Sequence, residues 1–314
     1  MNRHKSSPER LPTLKPMPEL PEVEITARRL SASLGGAEVE SALAPGMVAL
    51  KSVDPPLAAL AGRRIGAVRR IGKMPVVAFD PLDGASVMSP DGAGSAEPLS
   101  LLVHLMSAGR LQLFDKRASL RDRTARVLVR LADGRELRLR EFGTKQRAWA
   151  KLLRTTEVGD DEMVATLGPE AWPAPPLQEL AHRIDEPRHL HPMLRDQRVI
   201  AGIGRSWVDE ILWEAALSPF KQGSELDGED VDRLHAALHV LGDAIDRYEH
   251  VIPERVPDKL PMPLQVHRRQ GEPCPRCGDT LAAVHFAEHL TTYCPQEQTG
   301  GRLLKDRRLS RLLK

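Results

Sequence analysis

The chain has 314 residues, 41% of them hydrophobic and 28% charged, a length that corresponds to about two domains of a globular protein. No apolar run approaches the ~20 residues that cross a bilayer, and Met1 to Pro16 lacks the apolar segment of a secretory signal. Three cysteines are too few for a disulfide framework in a chain of this size. The net charge of +2, from 45 basic and 43 acidic residues, does not by itself suggest nucleic acid, but its distribution does. Ala61 to Lys73 carries five basic residues and no acid, and Arg123 to Arg154 carries ten basic residues against three acids. His267 to Lys314 carries nine against five, while acids gather in Glu157 to Glu162 and Glu225 to Asp232. Basic stripes of this kind are either a footprint for a polyanion or arginines decorating solvated strands.

Taken in order, residues 1–16 are polar and proline-rich and are expected to be a disordered extension. Pro21 opens a helix in which Val23, Ala27, Leu30 and Leu34 share a face, stopped by Gly35-Gly36. Strands are expected within Ile65 to Phe79 and Leu99 to Phe114, separated by a surface loop from Pro81 to Pro98. Arg126 to Arg140 reads as a hairpin turning at Ala132-Asp133-Gly134. These elements predict an N-terminal β-sandwich with an N-terminal helix over residues 17–160. A proline-rich linker over 161–176 follows, then a domain of three or four helices over 177–256. Residues 257–314 hold the paired cysteines and a basic tail. The class is α+β multidomain.

Three strings carry chemistry. In Met17-Pro18-Glu19-Leu20-Pro21-Glu22, a proline freed of the preceding methionine is a secondary amine, nucleophilic toward an aldehyde-like carbon, with Glu19 beside it for proton transfer. The same string also reads as a plain proline-rich start to a helix. Around Gly202-Ile203-Gly204, two helices flank a turn whose glycines let backbone N–H groups approach a phosphate, or which is simply a helical hairpin turning at glycine. In Cys274-x-x-Cys277, sixteen residues and then Cys294-x-x-Glu297, the spacing is that of a tetrahedral zinc site with Glu297 in the fourth place, or of a degenerate finger held by packing. His285 and His289 lie between the two halves.

These strings, in this order from Met17 to about Leu313, resemble the Fpg/Nei family of bacterial DNA glycosylases (formamidopyrimidine-DNA glycosylase and endonuclease VIII). The resemblance implies an N-terminal β-sandwich, a helix-two-turn-helix domain and a C-terminal zinc finger. It implies Pro18 as the nucleophile at the sugar C1′, Glu19 as the catalytic acid, Glu22 as a supporting carboxylate and Lys73 as a phosphate contact at the lesion. Gly202, Gly204 and Glu210 fall on the helix-two-turn-helix core, with Arg205 where the family usually has Asn. His289 falls on a phosphate-contacting Arg of the finger, and His191 lies near a family lysine. Met106-Ser107 and Thr144-Lys145-Gln146 fall where the family places intercalating residues, with His104 and Arg147 beside the same groove.

The implied activity is excision of oxidised bases from damaged double-stranded DNA, with strand cleavage at the abasic site, by a monomeric bacterial protein of the cytoplasm that needs no membrane and no obligate protein partner. One zinc ion is the implied cofactor, held by Cys274, Cys277, Cys294 and Glu297. Val251 to Leu264 is too short for a long capping loop over 8-oxoguanine, which tilts the reading to oxidised pyrimidines or a broad lesion range. An internal proline nitrogen is an amide and cannot attack, so the working chain is expected to begin at Met17 and to hold 298 residues. The alternatives are a catalytically inactive relative that binds abasic or damaged DNA and, in third place, an RNA- or ribosome-binding protein.

Overall fold

The computed structural model describes residues 17–46, 48–82, 97–119, 121–142, 145–286 and 289–305, with the backbone alone at Phe286 and His289. The expected extension 1–16, most of the expected loop 81–98, Thr144, and the side chain of His289 lie outside the described residues.

Among the described residues, helix α1 (Leu20–Leu34) is followed by eight strands. They are β1 (Val39–Leu43), β2 (Arg63–Ile71), β3 (Met74–Pro81), β4 (Leu99–His104), β5 (Gly109–Phe114), β6 (Ala125–Leu131), β7 (Glu136–Glu141) and β8 (Trp149–Arg154). They form two four-stranded sheets, ordered β1-β6-β7-β5 and β2-β3-β4-β8, with every pair antiparallel. Alternating apolar positions of both sheets, such as Val77, Phe79, Leu101, Val127, Val129 and Leu139, bury against one another and against Val23, Ala27 and Leu30 of α1. The β6–β7 hairpin turns where expected, with Gly134 at a φ of 91° that suits glycine.

The expected linker is a fixed tie. One turn of helix, α2 (Glu162–Ala165), lies within it, and Glu170 accepts the N–H of Gly72 at 2.6 Å and pairs with Arg70. The helical domain holds five α-helices where three or four were expected: α3 (Leu177–Ile184), α4 (Leu190–Leu194), α5 (Trp207–Glu214), α6 (Gly228–Ala237) and α7 (His239–Val251). The count differs because α4 is only five residues long and a single residue, Leu238, separates α6 from α7. The last unit is the hairpin β9 (Ala282–Phe286) and β10 (His289–Tyr293), closed by α8 (Pro295–Thr299).

Helix α1 belongs to three cores at once. Its sandwich face is joined by Leu20, which inserts into the helical-domain core beside Ile203, Trp207 and Ile211, and by Ile25, which packs on Tyr248, Ile252 and Val256. Arg29 clasps Glu249 at 2.7 Å and the Ile252 carbonyl at 3.2 Å. The residues just before α1 are thereby fixed between the two domains.

Candidate active site

Glu19 is the centre of the site. It is 1% exposed, and its carboxylate accepts the N–H groups of Ser206 at 2.8 Å and Trp207 at 3.2 Å, at the N-terminus of α5. Free N–H groups and the helix dipole both favour a negative charge there. The Gly202-Ile203-Gly204 turn makes this approach possible. Leu20 donates its N–H to the Gly202 carbonyl at 3.1 Å, and a side chain at Gly202, whose φ is 105°, would lie 2.4 Å from Leu20. A Cβ at Gly204 would lie 2.3 Å from the Glu19 carboxyl carbon. Gly202 and Gly204 are both buried. The turn is therefore not an open phosphate cradle. Its missing side chains make room for the segment that carries Glu19.

Lys73, on the β2–β3 turn, donates to the Ile203 carbonyl at 3.1 Å. Burial lowers its pKa, Glu19 opposes that, and the nearby charges of Arg195 and Arg205 add to it. Lys73 and Arg195 thus stand near the Glu19 carboxylate, and exposed Arg205 stands near both of these cations. Sequence reasoning missed Arg195. It follows α4 directly, and its charge acts on Glu19 only because the Gly-Ile-Gly turn folds the chain back.

Glu22 lies beneath. It accepts the N–H of Glu19 at 2.9 Å, the Tyr248 hydroxyl at 2.7 Å and the Trp207 indole N–H at 3.2 Å. Burial first, and the charge of Glu19 second, raise its pKa to about 7 despite these donors. The unfolded group titrates near 4.5, so protonated Glu22 contributes stability that is complete below that value and lost as the pH rises through about 7. We expect this group to account for on the order of 3 kcal/mol of stability lost between about pH 4.5 and pH 8. Urea unfolding of Glu22→Gln should lack that component, and a parallel decline in wild type and variant would refute it.

Pro18 is half-buried and lines a small cavity with Met17, Glu22, Arg110, Leu260 and Met262. The proline-rich strap that supplies Leu260 and Met262 is held by β5, where Arg110 donates to the Asp258 carbonyl at 3.0 Å and Gln112 to that of Val256 at 2.9 Å.

The other expected contacts divide. His104 stacks on Trp149 and accepts the N–H of Met106 through Nδ1 at 3.1 Å. Burial, with Lys73 and Lys51 adding to it, lowers its pKa to about 4, so the ring is neutral with its proton on Nε2. Met106 sits on the β4–β5 turn at a φ of 49°, a left-handed conformation that a non-glycine residue holds at some cost. Lys145, Gln146 and Arg147 are exposed just before β8, and Arg126 donates to the Gln146 side chain at 3.2 Å. Glu210 and His191 are corrections. Glu210 is 4% exposed and its carboxylate accepts the N–H groups of Gln265, Val266 and His267 at 2.8–3.0 Å, so it fastens the start of the finger rather than facing a ligand. His191 is 3% exposed and engages Thr291 at 3.1 Å and Asp209 at 3.3 Å, inside the same junction.

In the finger, the sulfurs of Cys274, Cys277 and Cys294 lie within 4.8 Å of one another. Gly278, at a φ of 79°, donates to the Cys274 carbonyl and shapes the first knuckle. Three convergent thiols fit zinc. Among the described residues no histidine or carboxylate joins them. The expected fourth ligand, Glu297, lies outside this group. It sits in the first turn of α8, with its carboxylate 3.5 Å from the Arg276 guanidinium.

Comparison with known proteins follows the same division of the chain. Residues 17–145 match the formamidopyrimidine-DNA glycosylase N-terminal domain, residues 167–254 the formamidopyrimidine-DNA glycosylase H2TH domain, and residues 271–296 the zinc finger found in FPG and IleRS. A formamidopyrimidine-DNA glycosylase of Roseiflexus is 31% identical over 297 residues, covering 90% of this chain and all of the relative. A formamidopyrimidine-DNA glycosylase-like protein of Mycobacterium tuberculosis is 46% identical over 123 residues, which is 39% of this chain and 78% of that protein. Among solved structures, the Lactococcus lactis Fpg in complex with DNA containing N7-benzyl-Fapy-dG superposes with a TM-score of 0.76 at 25% identity, covering 90% of this chain and all of that one. The MutM protein of Thermus thermophilus gives 0.71 at 28% identity, covering 90% and 98%.

Proposed function

The chain belongs to the formamidopyrimidine-DNA glycosylase family, and from that premise we propose that it removes oxidised bases from damaged double-stranded DNA and cuts the strand at the resulting abasic site. The observation that carries the proposal is Glu19, held by two N–H groups at the start of α5, beside Pro18 and near Lys73 and Arg195, with Arg205 next to those two cations. Cations placed so suit the phosphates flanking a flipped nucleotide, and base removal requires the nucleotide to leave the stack. The Pro18 nitrogen, as a free amine, attacks the sugar C1′. The bond from C1′ to the base breaks with that electron pair, and the base takes a proton. Glu19 is positioned to move protons at the sugar. Once the amine proton is lost, the nitrogen lone pair expels the sugar ring oxygen O4′, which takes a proton. The iminium left at C1′ acidifies the neighbouring C2′ hydrogen, and its removal expels the 3′ phosphate by elimination.

Exposed Arg205, Lys145, Gln146 and Arg147, neutral His104, Met106 and His289 are assigned to the duplex. Zinc, held through Cys274, Cys277 and Cys294, supplies structural cross-linking of the finger and no step of the reaction. The short strap beside Pro18, in place of a long capping loop, favours oxidised pyrimidines or a broad lesion range. The protein acts as a monomer in the bacterial cytoplasm.

The test is incubation with duplexes carrying an oxidised pyrimidine, an oxidised purine or an abasic site. Released base and a nicked strand are expected, with the pyrimidine duplex cut at least as fast as the purine one. Met17 lines the same cavity as Pro18, and a chain that keeps it has an amide at the reacting position. That form favours the second reading, a binder without catalysis, which would show affinity falling steeply with salt and neither product.

A further inference from the structure

Zinc takes four ligands in structural sites, and among the described residues the finger brings together three. The residue at the fourth place in the spacing is engaged elsewhere. Glu297 belongs to an ion-pair group around Arg276, whose guanidinium reaches Glu214 at 2.7 Å, the Trp213 carbonyl at 3.2 Å and Glu297 at 3.5 Å, and stacks 4.2 Å from the Trp213 ring centre. Arg276 directly precedes Cys277 in the knuckle, so this group fixes the knuckle against α5. Trp213 also donates its indole N–H to the Cys274 sulfur at 3.4 Å. Cys274 and Cys294 are buried, whereas Cys277 is exposed, so the cluster reaches solvent at Cys277.

We propose that the finger holds zinc through Cys274, Cys277 and Cys294 alone and leaves the fourth position open to a small thiol from solution, with Glu297 serving Arg276 instead of the metal. A thiolate matches the preference of zinc in a sulfur-rich site, and the Arg276 guanidinium beside the cluster offsets the negative charge that a fourth thiolate adds. On binding, the thiol gives its proton to solvent, its sulfur bonds the metal and a water molecule leaves. No oxidation is involved. The inference rests on the finger binding metal at all.

The experiment uses the full chain, stripped of metal and reloaded with Co(II), whose visible absorption reports the donor set. Free cysteine should shift the wild-type spectrum saturably. Glu297→Ala and Glu297→Gln should show the wild-type spectrum, the same shift, and zinc affinities within about threefold of wild type, whereas Cys277→Ala should lose at least about a hundredfold. Glu297→Cys should show a four-thiolate spectrum from the start and ignore added cysteine. A changed spectrum in Glu297→Ala and Glu297→Gln, or no response of the wild type to cysteine, overturns the open position. A folded wild type that takes up neither metal overturns instead the metal reading beneath it.

Discussion

With Pro18 as the first residue, borohydride should trap a covalent adduct between the protein and abasic or damaged duplex DNA. The same chain with Met17 retained should give none. Reduction captures an iminium, and only a free secondary amine at Pro18 can form one without losing its ring; the peptide nitrogen of an internal proline has no lone pair to offer. Strand cleavage should fall by at least about a thousandfold, equivalent to roughly 4 kcal/mol of barrier. DNA affinity should change little, because Lys73, Arg195 and Arg205 are untouched. This pairing separates chemistry from binding. The cavity around Pro18 supports the expectation, since Pro18 lines it together with Glu22, Arg110, Leu260 and Met262. Equal trapping by the two chains would remove Pro18 as the nucleophile and turn attention to a lysine amine.

What the sequence made legible was local. The run of Val23, Ala27, Leu30 and Leu34 showed α1, and Asp133-Gly134 showed the β6–β7 hairpin, because periodicity and turn chemistry act over a few residues. Strands β1 and β8 escaped notice. Val39–Leu43 is short, and Trp149–Arg154 has no clean alternation, since both depend on pairing with distant partners. The resemblance marked Glu19 and Gly204 separately, but no spacing showed that they touch across 184 intervening positions. Gly202 and Gly204 were read as phosphate-facing because glycine signals close approach without saying of what. Tyr248 drew no attention, being a lone tyrosine on a helix, yet its hydroxyl is a principal support of Glu22. Glu210 shows the opposite limit: a residue matched to a DNA-binding string proved to be the clasp that seats the finger.

Replacing Gly204 with Ala should disable the enzyme nearly as well as replacing Glu19, although Gly204 carries no reactive group. The new methyl would stand 2.3 Å from the Glu19 carboxyl carbon, with the Ser206 and Trp207 amides holding that carboxylate from the other side. Leu20 is locked in the helical core and Glu19 caps α1, so the carboxylate itself must move, away from its place at the Ser206 and Trp207 amides. Overpacking of this kind costs about 1–3 kcal/mol of stability, and displacing a reacting group by an ångström costs about a hundredfold in rate. Glu19→Gln should keep the packing, since the side chain is nearly isosteric, and lose about a hundred- to ten-thousandfold in base excision through the missing proton transfer. The two changes act on one contact, so they should not be additive. In the Glu19→Gln background, Gly204→Ala should still lower the melting temperature but reduce the residual excision rate little further. Fully multiplicative rate losses would mean that Gly204 serves catalysis by some route other than the position of Glu19. A Gly204→Ala enzyme with wild-type activity would mean that the carboxylate need not sit at the start of α5 when the base departs.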